Sequence, residues 1–133
     1  MKELREQRDR DFMSAVARER KNPRNVGRGM RAIVAAAAAG PAPMYYVTYN
    51  HVMKELPGRN SMDVPVKDNT ATARMWRELQ RRVGQRMERY RDKKGEAVAM
   101  VLAEGGASSF FLSPSTAWVL YHKIKQRRSE SVA

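Results

Sequence analysis

Apolar residues gather on one side of the first stretch of the chain. Phe12, Met13, Val16 and Ala17 fall three and four apart within residues 2–21, where Gly and Pro are absent, and this predicts a helix. Asn22-Pro23 stops it, because the residue before a proline avoids the helical basin, and a flexible RNVGRG follows. A second helix is predicted over about 29–39, with Met30, Ile33, Val34 and Ala37 at helical spacing and a run of alanines smooth enough for another helix to lie close. Gly40 ends it and Pro41 prevents a restart. MYYV at 44–47 is β-branched and aromatic and reads as a short extended segment. Thr48 or Asn50 then caps a third helix over 49–56, closed by Pro57-Gly58.

After an aperiodic stretch with two prolines, the same order returns. Thr70 or Thr72 starts a long helix to about residue 92 with an apolar stripe at Trp76, Leu79, Val83, Met87 and Tyr90. Lys94-Gly95 breaks it, and a helix over 96–104 follows around Val98, Val101 and Leu102, ended by Gly105-Gly106. Residues 110–112 read as extended. Ser113 caps the last helix, with Pro114 at its first position, where a missing N–H costs nothing. Ala117, Leu120, Tyr121 and Ile124 form its buried face, and the final residues are expected to fray.

The two halves therefore read as a duplication. A shift of 65 places Gly40 on Gly105, Ala42 on Ala107, Tyr45-Tyr46 on Phe110-Phe111, Val47 on Leu112 and Thr48 on Ser113. The expected fold is mainly α, with six helices arranged as two tandem α-α-β-α repeats about a pseudo-twofold. A lone four-residue strand leaves its backbone groups unsatisfied, so the two short β segments are expected to pair with each other. The first repeat spans 1–57, a linker 58–69, the second repeat 70–128 and a frayed tail 129–133, forming one compact unit overall.

In its PAPMYYVT (41–48) and ASSFFLSP (107–114) segments the chain resembles small two-repeat proteins of bacterial phages and mobile elements. Those carry a Pro-Ala-Pro-x-aromatic-aromatic-Val-Ser segment before a capped helix in each half. The resemblance implies a phage or mobile-element setting and no particular activity. Its variable position is often basic, whereas here it is Met44 and Ser109.

Charge then narrows the function. The chain of 133 residues carries 26 Lys and Arg against 14 Asp and Glu, a formal net charge of +12. That excess is far above what solubility requires and costs self-repulsion in the folded state, so it points to a polyanionic partner. Nucleic acid comes first, then an anionic membrane surface or an acidic protein. The absence of cysteine removes disulfides, thiolate zinc sites and thiol nucleophiles. The polar N-terminus lacks a secretory h-region, and the longest apolar run, 32–39, is far short of a membrane span. The expectation is a soluble protein of the bacterial cytoplasm or of a virion, without a membrane partner.

Enzymatic patterns are lacking. His51 and His122 do not coincide under the repeat and neither sits near a paired Asp or Glu at metal spacing, so they read as surface or capping residues; neither metal nor cofactor is expected. Ser108, Ser109, Ser113 and Ser115 form no nucleophile elbow, and the glycines form no phosphate-cradling loop. Most acidic residues lie three or four positions from an Arg, as solvated helix pairs do. The cations are the candidate nucleic-acid-binding residues. Lys21, Arg24, Arg28 and Arg31 surround the first loop and the start of the second helix, where N–H groups already favour anions. Arg89, Arg91, Lys93 and Lys94 occupy the matching loop of the second half. Arg82, Arg86, Arg89 and Lys93 form a stripe able either to track a phosphate backbone or to face solvent, and Lys123, Lys125, Arg127 and Arg128 crowd the end of the last helix.

Tyr45, Tyr46, Phe110 and Phe111 could stack on bases, but adjacent strand residues point opposite ways, so at least one of each pair is assigned to the core, as are Trp76 and Trp118. The expected function is non-enzymatic nucleic-acid binding, DNA ahead of RNA. The tandem repeats are helix-turn-helix-like, with 49–56 and 114–127 as groove candidates and phosphate contacts dominant. The alternatives are a phage structural or assembly component facing the genome or an acidic protein shell, and a small basic regulator that binds an acidic host protein.

Overall fold

The computed structural model describes residues 2–56 and 70–132, so the expected linker at 58–69 lies outside the described residues. Six helices account for most of what is described: α1 (Lys2–Lys21), α2 (Met30–Ala39), α3 (Tyr49–Glu55), α4 (Ala71–Tyr90), α5 (Lys94–Glu104) and α6 (Pro114–Val132). The local signals that start them are those in the sequence. Thr48 Oγ1 accepts the His51 N–H at 3.1 Å, Thr70 Oγ1 accepts the Ala73 N–H at 3.1 Å, and Ser113 Oγ accepts the Thr116 N–H at 3.2 Å. No described helix is long and apolar enough to cross a membrane.

The chain divides into two compact units, Met1–Pro43 with Ala107–Ala133, and Met44–Gly106. These are not the two sequence halves. In the first unit α2 packs against both α1 and α6; in the second, α5 packs against both α4 and α3. The third helix of each half thus serves the other half's helix pair. α2 and α3 belong to different units, as do α5 and α6.

The first unit buries Phe12, Val16, Ile33, Val34, Ala37, Phe110, Ala117, Tyr121 and Ile124, with the Phe12 and Phe110 rings edge to face at 5.7 Å. Ala37 and Ala38 turn the smooth alanine face inward. A 3-10 turn, Pro23–Asn25, whose Arg24 N–H the Asn22 side chain caps, leads into the loop through 26–29. Buried Asn25 anchors it by donating to the Glu19 carbonyl and carboxylate at 2.7 and 2.8 Å.

The two expected β segments, 44–47 and 110–112, are not strands. Among the described residues there is one antiparallel bridge, between Ala42 and Ala107, which exchange N–H···O bonds of 3.0 and 2.9 Å. The reason lies in where the backbone groups go. The Phe110 N–H and the Ser109 hydroxyl both donate to the Ala38 carbonyl at the end of α2, while Ser109 Oγ accepts the Phe111 N–H. Phe111 is left-handed at φ 54, so the segment turns rather than extends. Tyr45 and Phe110 are nonetheless the buried members of their pairs.

The second unit buries Tyr45, Val52, Leu56, Leu79, Val83, Met87, Val98 and Val101. Four expectations need correction here and at the C-terminus. The helix break falls at Arg91, left-handed at φ 58, and Lys94-Gly95 opens α5 instead of interrupting the chain. Gly95 fits because the Tyr49 hydroxyl would lie 2.6 Å from a Cβ there. Tyr90 ends the apolar stripe exposed, the last residue of α4, with the Arg86 and Arg89 guanidiniums over its ring instead of core residues. Trp76 and Trp118 are half-buried rather than core. The tail continues as helix through Val132, since nothing after Pro114 breaks it.

The Arg91 conformation is costly for a residue with a Cβ. Arg91→Gly is expected to raise the unfolding free energy by about 0.5–1 kcal/mol in urea titrations, the relief of strain exceeding glycine's entropic cost.

Candidate nucleic-acid interface

The expected interface residues separate into two groups by what surrounds them. In the second unit, three of the cations are bound up in the fold. Arg82 Nη1 donates to Tyr45 Oη at 2.9 Å and to the carbonyls of Gly105 and Gly106 at 3.3 and 2.9 Å, while its Nη2 reaches Glu104 at 3.3 Å. Arg86 joins Asp92 and Glu104, each at 3.0 Å. Lys94 Nζ donates to the carbonyls of Met53 and Leu56 at 3.0 and 2.9 Å, closing the C-terminal end of α3. The stripe expected to track phosphates therefore spends its donors internally at Arg82 and Arg86. Arg89 lies over the Tyr90 ring, Arg91 forms the helix end and Lys93 is the exposed N-cap of α5.

Glu78, expected on a solvated face, is 9% exposed and accepts a hydrogen bond from the Tyr45 hydroxyl. Asp9 is buried too, between Arg8 at 3.0 Å and Arg127 at 3.4 Å. Burial first, and then the hydrogen bond to Glu78, push the Tyr45 phenol up from 10.0 to about 12. Burial opposes the charge on Arg82, yet its bonds to Tyr45 and Glu104 hold it above its ordinary value.

The Tyr45 shift has a measurable sign. Folding favours the protonated phenol, so the associated stability is full below pH 10 and is lost as the pH rises through 10 to about 12. Among the 5 tyrosines, one is expected to form phenolate last in an ultraviolet titration of the native protein, and Tyr45→Phe should remove that last phase.

The first unit presents its cations outward. Lys21, Arg24, Arg28, Arg31, Lys123, Lys125, Arg127 and Arg128 are all exposed. Arg127 pairs with Asp9; for the other seven no carboxylate partner is found among the described residues. Arg28 donates to Asn25 Oδ1 at 3.0 Å, Arg31 lies 5.6 Å over the Trp118 ring and Lys125 5.3 Å over Tyr121. These interactions orient the charges without neutralising them. α2 starts at Gly29 without a side-chain cap, so its first N–H groups point out beside Arg28 and Arg31.

Sequence reasoning overlooked Arg20. It follows Met13, Val16 and Ala17 at helical spacing, and those four residues of α1 face Tyr121, Lys125 and Arg128 of α6 across a groove. The signal was the i, i+3, i+4, i+7 series continuing into a cation. His51 and His122 are exposed, as expected; His51 sits 3.7 Å from Glu55, and His122 packs edge-on to Trp118. Among the described residues no group of three acidic or histidine side chains is placed to hold a metal ion. No family model matches the chain, and neither does any curated protein or solved structure.

Proposed function

We propose that the chain is a non-enzymatic nucleic-acid-binding protein that grips the phosphate backbone with its first unit. The observation that carries this reading is the unequal use of charge. The first unit holds fourteen Lys and Arg against six Asp and Glu, the second twelve against eight. In the first, the cations around the loop between α1 and α2 and along the end of α6 are exposed, and all but Arg127 lack carboxylate partners among the described residues. An uncapped helix start flanked by Arg28 and Arg31 adds N–H donors suited to phosphate. A duplex is favoured over single strands because Tyr45 and Phe110 are buried and their neighbours Tyr46 and Phe111 are half-buried, so none of the four is an open stacking platform.

The tandem duplication belongs to the same proposal. Ala42 and Ala107 are 65 apart and bridge each other, as equivalent residues of a pseudo-twofold repeat do, and Thr48 and Ser113, also 65 apart, cap equivalent helices. The phage or mobile-element setting rests on the sequence resemblance alone.

The test is fluorescence anisotropy with duplex DNA, duplex RNA and single strands over a salt series. Backbone binding predicts log K falling linearly with log salt, by about 0.9 per phosphate neutralised, with little dependence on DNA sequence. Absence of retention at low salt would sink the reading.

A further inference from the structure

The groove between α1 and α6 carries an inference of its own. α1 and α6 both pack on α2 and leave between them an open slot of about 320 Å³. Its lining from α1 is Met13, Val16, Ala17 and Arg20, at i, i+3, i+4 and i+7; from α6 it is Tyr121, Lys125 and Arg128, at i, i+4 and i+7. Each wall therefore runs for two helical turns, roughly 10 Å. Val16 and the Tyr121 ring close the floor, Met13 is half-buried, and Ala17 is exposed with no side-chain bulk above it. Both walls end in cations, and none of Arg20, Lys125 and Arg128 has a carboxylate partner among the described residues.

We propose that this groove docks an acidic amphipathic helix of a partner protein. An apolar floor flanked by two helices accepts the apolar stripe of a third, the helix-in-groove mode, and cations on both walls select Glu and Asp beside that stripe. The lining argues against a nucleobase. Its one aromatic residue, Tyr121, is 5% exposed, too enclosed to stack on a base. The proposal shares Lys125 and Arg128 with the nucleic-acid reading and differs from it in the apolar floor, which phosphate binding does not use.

The probe is a labelled helical peptide with Leu at i, i+3, i+4 and i+7 and Glu at flanking positions, set against a scrambled peptide of identical composition. Binding to the full chain at physiological ionic strength is expected to be at least tenfold tighter for the patterned peptide, about 1.4 kcal/mol. Ala17→Trp fills the slot without changing charge; it should abolish the preference for the patterned peptide while helicity and DNA retention stay as they were. Arg20→Ala with Arg128→Ala should weaken the patterned peptide and leave the fold intact by circular dichroism. Equal binding of both peptides, or a patterned preference that survives Ala17→Trp, overturns the proposal. Loss of DNA retention together with peptide binding in Ala17→Trp overturns it as well, by assigning the groove to nucleic acid. Patterned binding in a protein that retains no DNA would sustain the groove and remove only the nucleic-acid reading.

Discussion

Replacing Arg82 by alanine is expected to lower the unfolding free energy by about 2–3 kcal/mol and to leave DNA affinity per folded molecule unchanged. The guanidinium is 22% exposed and serves Tyr45, Glu104 and the two consecutive glycine carbonyls together. Gly105 and Gly106 both sit at positive φ, so the backbone they carry is irregular and gains its hydrogen bonds from Arg82 rather than from a helix or sheet. Removing the fork strips a charged donor from several acceptors, among them the Tyr45 hydroxyl that itself donates to buried Glu78. Arg82→Lys should restore little, because an ammonium cannot span the same acceptors. Urea denaturation measures the loss; a stable variant that fails to retain DNA would instead return Arg82 to the interface.

The opposite outcome is expected for Arg24, Arg28 and Arg31 changed together to alanine. These side chains are exposed, and the bonds they make are to Asn25 and to the Trp118 face, so stability should change by no more than about 1 kcal/mol. DNA affinity at low salt should fall at least tenfold, and the slope of log K against log salt should flatten by about 0.9 for each phosphate that is no longer neutralised. The weakening should be similar for all duplex sequences, since cations on phosphates carry no base information. Anisotropy titrations on this variant beside Arg82→Ala separate an interface cation from a structural one. Both have the same formal charge in the sequence.

The contrast shows what the sequence made legible. Caps and stops are local, and Thr48, Thr70, Ser113, Gly40 and Pro41 marked their helices because one side chain or one missing N–H decides each end. Buried polar chemistry was not legible. Glu78 and Arg82 are four apart and look like a surface pair, while the residue that turns them inward, Tyr45, is 33 positions from Glu78. Lys94 looked like part of a loop because its acceptors, the carbonyls of Met53 and Leu56, belong to a helix about forty residues earlier. The destination of α3 and α6 was hidden for a related reason. Short apolar faces such as those of α2 and α5 specify that a helix is covered, not which helix covers it. For the candidate interface, the loop between α1 and α2 was visible as a cluster of cations, but only the packing distinguishes exposed arginines from those that hold carbonyls.

The division of the chain into Met44–Gly106 and the segments on either side of it has a consequence for biosynthesis. On a ribosome, the inner unit has all its helices once α5 has emerged and can fold while translation continues. The outer unit waits, with the apolar faces of α1 and α2 that α6 covers left open, until α6 delivers Ala117, Tyr121 and Ile124. A released chain truncated after residue 113 should therefore hold one protease-resistant core and one that digests readily.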